Sequence, residues 1–196
     1  MTRIIGIVEG HGEVTALPLL IRRIAAMVLP HREIEIPRPI RVKRQRLLKE
    51  GELERSVELA ARQSGADGKI LILLDADSDC PSELAATVLE RARATRADRE
   101  IRAVIAKVEY ETWFVAAADS LAGHRDLSID LVAPPDPEAI GNPKRWLSDR
   151  ITTGRSYRET LDQPALTEVF DLEQARRAPS FDKMWRDVIA LLRTDP

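Results

Sequence analysis

Over the first part of the chain, apolar positions fall into two alternating rhythms. Ile4-Ile5-Gly6-Ile7-Val8 and Leu71-Ile72-Leu73-Leu74 are nearly unbroken aliphatic runs, the pattern of strands buried on both faces. Residues 3–8 and the run at 71–74 therefore read as strands of a covered sheet. Residues 14–28 place Leu17, Leu20, Ile21 and Ile24 on one helical stripe. Residues 33–42 alternate Ile34, Ile36 and Ile40 as a less buried strand, and Pro37 and Pro39, which donate no ladder hydrogen bond, put it at an edge. Residues 47–63 read as an amphipathic helix ended by Gly65 and Gly68. Pro81 opens a helix running to about residue 94, with Asp79 as its N-cap. Residues 101–108 form a fourth strand and 110–121 an alanine-rich helix. This alternation predicts an α/β fold with a mostly parallel four-stranded sheet, right-handed crossovers and flanking helices.

The alternation stops near Gly123, and Pro134-Pro135-Asp136-Pro137 marks an irregular segment. Short helices are expected at 143–151, 165–170, 172–177 and 181–193. The expected organisation is an α/β core over residues 1–123 and a helical extension over 124–196 packed on it. Trp146, Phe170, Phe181 and Trp185 are its expected anchors, since large aromatics dominate burial.

Both aliphatic runs end in acids. The first leads into Glu9-Gly10-His11-Gly12-Glu13 and the second into Asp75-Ala76-Asp77-Ser78-Asp79. In parallel sheets the C-terminal edge of the strands is the functional one. Clustered carboxylates repel, and a divalent cation or a cationic partner offsets that cost. Asp75 and Asp77 project on the same side if the extended geometry persists, and Glu9 faces them across the ~5 Å strand spacing if the first and third strands are neighbours. Glu13, one helical turn on, reads as a ligand, a supporting acid or a first-turn dipole residue. The fourth strand ends in Lys107-Val108-Glu109-Tyr110-Glu111, which brings Lys107 and Glu109 to the same edge. Lys107 would either neutralise charge on a phosphoryl group or pair with Asp75 or Asp77. Glu109 or Glu111 joins the site or decorates a helix start. Oxygen-only ligands of this kind suit Mg²⁺, and two such ions clamp an in-line displacement at phosphorus.

Composition narrows the picture. A formal net charge of −2 is not that of a chain that holds nucleic acid by bulk electrostatics. The charge is uneven, however: Arg38, Arg41, Lys43, Arg44, Arg46 and Lys49 follow one another with no acid between, after Arg22, Arg23, His31 and Arg32. This is a solvated face or a local phosphate-binding surface, with Arg41, Lys43, Arg44 and Arg46 as the nucleic-acid contacts. No apolar run approaches the roughly 20 residues of a membrane span. The first strand follows Met1-Thr2-Arg3, leaving no room for a signal peptide. The single cysteine, Cys80, excludes an intramolecular disulfide framework and fits a reducing cytoplasm. No histidine is spaced as its catalytic partner.

Spacing weighs against several rival motifs. An EF-hand loop would need Gly at Cys80 and Glu at Ala86, and a P-loop would need Gly-Lys-Ser/Thr after the first strand. A phosphate-accepting receiver domain leaves Asp77 and the helical tail unexplained, and a nucleotide-sugar transferase does not open on Glu-Gly. His11, His31 and His124 show no metal-ligand spacing, and His11 reads as a loop residue or a substrate contact.

The pairing of Glu9 with Asp75-Ala76-Asp77 resembles the Toprim domain of topoisomerases, primases and overcoming-lysogenization-defect nucleases. Three runs carry a closer resemblance: Ile7 to Val14, Leu73 to Pro81 and Glu109 to Phe114. With Asn142-Pro143-Lys144, Tyr157 and Pro179-Ser180-Phe181, they resemble a Toprim-related bacterial family, domain of unknown function 4276, over nearly the whole chain. The resemblance implies a Toprim-like core and Mg²⁺- or Mn²⁺-dependent phosphodiester chemistry. It implies Glu9 as ligand or general acid/base, Asp75 and Asp77 as ligands, and Glu13 with Glu109 or Glu111 at a second metal position. It also implies a partner ATPase of the ABC-like type in a defence or mobile-element setting. The expected function is thus a metal-dependent nuclease in the cytoplasm. The other readings are an enzyme of small phosphorylated substrates and a non-enzymatic partner subunit.

Overall fold

The computed structural model describes residues 1–193. Its strands are β1 (Thr2–Val8), β2 (Ile34–Glu35), β3 (Ile40–Arg41), β4 (Lys69–Asp75) and β5 (Ile101–Ala106). All pairings are parallel, in the order β2-β1-β4-β5, with β3 also on β1. The sheet has five strands where the sequence predicts four, because the proline-containing edge segment pairs in two pieces. β2 meets the start of β1 (Thr2 opposite Ile34), and β3 meets its end (Val8 opposite Arg41). Between them Pro39 approaches Gly6, where an added Cβ would lie 3.3 Å from the proline ring and 2.6 Å from Leu17.

Each strand divides its residues between two cores, as a period of two requires. Ile70, Ile72 and Leu74 of β4 pack with α3 (Glu52–Ser64) and α4 (Pro81–Thr95). Leu71 and Leu73 join the opposite cluster, under α1 (Glu13–Val28). That second cluster continues through Leu127, Leu147, Leu166 and Phe170 into α9 (Pro179–Arg193), which lies against both α1 and β5. Trp113 and Phe181 meet edge to face at 5.3 Å, as do Phe114 and Phe170 at 5.5 Å. Trp146 is only half-buried and carries the Arg150 guanidinium on its ring.

The other elements are α2 (Arg44–Leu47), α5 (Thr112–Ala116), α6 (Pro143–Ser148), α7 (Glu159–Thr167) and α8 (Leu172–Ala175). The helix expected at 47–63 divides at Gly51, whose φ of 78° no other residue type adopts cheaply. The helix expected at 110–121 is α5 followed by a turn of 3-10 helix. α7 begins six residues before the predicted 165, carrying Pro164 inside it. Asp79 does not cap α4: Cys80 precedes the first turn without a side-chain cap, and the Asp79 carboxylate is held by Arg44. No helix among the described residues is long and apolar enough to cross a membrane.

Candidate metal centre

The ends of β1 and β4, which are neighbours in the sheet, bring Glu9 and Asp75 to one edge. Glu13, the first residue of α1, folds back over the β1–α1 loop, its Oε2 accepting from the backbone N–H of Glu9 and of Gly10, each at 3.1 Å. One carboxylate oxygen from each of Glu9, Glu13 and Asp75 lies within 4.8 Å of the other two. Asp75 is fixed by its Oδ1, which accepts from the Tyr110 N–H at 2.8 Å.

The glycines of this loop are demanded by a neighbour. α7 crosses it so closely that a Cβ on Gly12 would fall 2.1 Å from Gln163 Oε1 and 2.7 Å from the Glu159 carbonyl. The Gly12 N–H donates to Glu159 Oε1 at 3.1 Å. Residues far along the chain thus roof the site.

Asp77 takes another course. Its φ is 49°, so the extended geometry that would align it with Asp75 ends before it, and its side chain is exposed, 3.4 Å from Arg44. Its N–H donates to the carbonyl of Val108, itself at φ 61°, which locks two left-handed residues against each other. Asp77 stands outside the triad, close enough for its charge to act on Glu9. Lys107 turns away as well. It lines a groove of about 610 Å³ with Pro81, Leu89, Ile105 and Lys183, and among the described residues no ion pair joins it to Asp75 or Asp77.

The cation at the acid cluster is Lys144 on α6. Its Nζ lies 3.2 Å from Glu109 Oε1, 3.6 Å from Glu111 Oε2 and 3.9 Å from Glu159 Oε2. Glu111 is fully buried, its Oε1 accepting from Tyr157 Oη at 2.9 Å and Gln163 Nε2 at 3.4 Å. Lys144, Tyr157, Glu159 and Gln163 are beyond strand-end reasoning. Asn142-Pro143-Lys144 and Tyr157 belong to the resemblance pattern, and that is the signal that singles two of them out.

The basic segment divides. Arg41 donates to the Glu9 carbonyl at 3.3 Å. Arg44 donates to the Asp75 carbonyl at 3.1 Å and grips Asp79, bracing the β4–α4 loop. Arg46 pairs with Glu52 at 2.7 Å, and Lys43 is exposed at the start of α2.

Crowded, dry carboxyls hold protons. Burial pushes Glu13 up to about 8, aided by the charges of Glu9 and Glu111 and opposed by its two N–H donors. Burial likewise raises Asp75 well above the carboxylate range, and Glu13, Glu111 and Glu9 add to it. Burial brings Glu111 up to about 7 against the pull of Lys144. Glu9 is raised by burial and by Asp77. Burial alone would lower Lys144, but Glu111, Glu109, Asp75 and Glu159 outweigh it and hold the ammonium charged.

The donor set fits a hard divalent cation. It consists of carboxylate oxygens converging at one point, and the buried Oε2 of Glu9 accepts no hydrogen bond within the described residues. Because a ligating carboxylate must be ionised, uptake of an ion would release the protons held there.

The family model for a domain of unknown function (DUF4276) matches residues 8–189, a span that takes in every site residue from Glu9 to Gln163. The chain belongs to the DUF4276 family. No curated protein and no solved structure matches it. Because the DUF4276 span includes α6 and α7 together with most of the sheet, the roof that delivers Lys144 and Glu159 is part of the family domain.

Proposed function

We propose that this DUF4276 protein is a metal-dependent phosphodiesterase that cleaves nucleic acid, with Mg²⁺ or Mn²⁺ held by Glu9, Glu13 and Asp75. The observation that carries the reading is the convergence of three carboxylate oxygens within 4.8 Å at the C-terminal edge of a parallel sheet. A bound ion supplies Lewis-acid polarisation of a phosphoryl oxygen and a more acidic water. Glu9, the least buried of the three, would take a proton from the attacking water. Arg41 and Arg44 brace the two acid-bearing loops, and Lys43 and Arg46 face solvent beside them, where a phosphate backbone would run. The likeness to Toprim nucleases supports the same chemistry, with an ABC-like ATPase as partner and the cytoplasm as its place.

The internal use of Arg41 and Arg44 favours a second reading, a small phosphoester substrate, because it leaves a narrow basic surface. One experiment separates the two. Purified protein is incubated with supercoiled plasmid, single-stranded DNA, RNA and a panel of nucleotides, with Mg²⁺, Mn²⁺ or a chelator. Metal-dependent strand cleavage that is lost in Asp75→Asn and weakened in a Lys43→Ala/Arg46→Ala double variant supports the nuclease. Turnover of nucleotides that is indifferent to the double variant supports the small substrate. Cleavage that persists in Asp75→Asn or in chelator refutes both.

A further inference from the structure

Beside the triad lies a second group of carboxylates, and a cation of the chain already sits in it. Glu109 and Glu111 come from the segment after β5 and Glu159 from α7, and the Lys144 ammonium is 3.2 to 3.9 Å from an oxygen of each. The lysine is anchored at both ends. Its backbone N–H donates to Glu109 Oε2 at 3.3 Å, and Asn142 caps the first turn of α6 through the Arg145 N–H at 2.8 Å. Glu111 is wholly buried and its Oε2 accepts no hydrogen bond within the described residues, so Lys144 is the nearest positive charge that offsets it. A buried carboxyl in that state either keeps a proton or takes a cation as its partner, and here a cation is covalently tethered beside it.

We propose that Lys144 is a built-in second cation: its ammonium fills the position among Glu109, Glu111 and Glu159, so the chain takes up one divalent ion where its acids would otherwise admit two. The inference rests on the triad as a divalent-cation site. It makes Lys144 a positioning residue that holds Glu111 and Glu109 in place beside the triad with a charge that chelation does not remove. It stands as the alternative to a second metal ion held by Glu109 or Glu111.

The test counts bound Mn²⁺ per full-length chain by equilibrium dialysis at pH 7.5, with circular dichroism to verify the fold. Wild type is expected to bind one ion, Lys144→Met two, and Lys144→Met combined with Glu111→Gln one again. Lys144→Arg, which keeps the charge, is expected to bind one. Two ions in wild type, or one in folded Lys144→Met, overturns the inference while leaving the triad reading intact. If Lys144→Met does not fold, the wild-type count and Lys144→Arg still decide it, since two ions in either refutes a tethered cation. No ion in wild type refutes the triad reading itself, and this inference with it.

Discussion

Glu13→Gln isolates the cost of charging the triad. Glu13 is 2% exposed, and its carboxyl keeps its proton to about pH 8 in the folded chain against an ordinary 4.5. Between those values the folded chain holds a proton that the unfolded chain has lost. Folding stability must therefore fall as pH rises, by about 1.4 kcal/mol per unit. The contribution is whole below pH 4.5 and is lost by about pH 8. From pH 5 to 8 the loss from this residue is on the order of 3 kcal/mol. Glutamine has the shape of the protonated acid, and its carbonyl can keep the Glu9 and Gly10 N–H donors, yet it does not titrate. In urea unfolding with a chelator, the two proteins should be similarly stable at pH 5, and the variant should exceed wild type by on the order of 3 kcal/mol at pH 8. Excess Mn²⁺ should shrink or reverse that gap, because the ion stabilises only the chain that binds it. A difference that stays constant from pH 5 to 8 in chelator would refute the claim that Glu13 is protonated in the folded state.

Two further substitutions test the frame around the site. Gly12→Ala places a methyl group 2.7 Å from the Glu159 carbonyl. It should lower stability by about 1–3 kcal/mol and speed trypsin cleavage near α7, and an unchanged melting curve would contradict the close approach. Arg44→Ala removes the brace on the Asp75 carbonyl and on Asp79. It should cost about 2 kcal/mol in urea unfolding, and a loss below about 0.5 kcal/mol would mean the β4–α4 loop holds itself.

The sheet was legible because its information is local. Nearly unbroken apolar runs mark β1, β4 and β5, and the acids that follow β1 and β4 mark the edge that carries the candidate site. What escaped was set by contacts between distant residues. The extended geometry expected to align Asp77 with Asp75 fails because the Asp77 N–H seeks the Val108 carbonyl, a partner from another strand's end. Lys107 has the right place in sequence, but its side chain lines the groove beside α4. Lys144 supplies the positive charge instead, from a helix that no strand pattern announces. The arginine-rich segment read as one surface because charge alone does not say which guanidiniums find buried carbonyls, as Arg44 does. The split at Gly51 and the early start of α7 were blurred for a similar reason, since one glycine and one proline shift helix ends without breaking the apolar stripe.

The roof over the acids also orders events during synthesis. β1, β4 and the segment after β5 leave the ribosome with Glu9, Glu13, Asp75, Glu109 and Glu111 already made, while Lys144 and Glu159 are still to come. A nascent chain at that stage has Arg44 at the β4–α4 loop but no cation yet among Glu109 and Glu111. Arrival of α6 and then α7 lays Lys144 and Glu159 beside those acids and adds a positive charge that cannot leave.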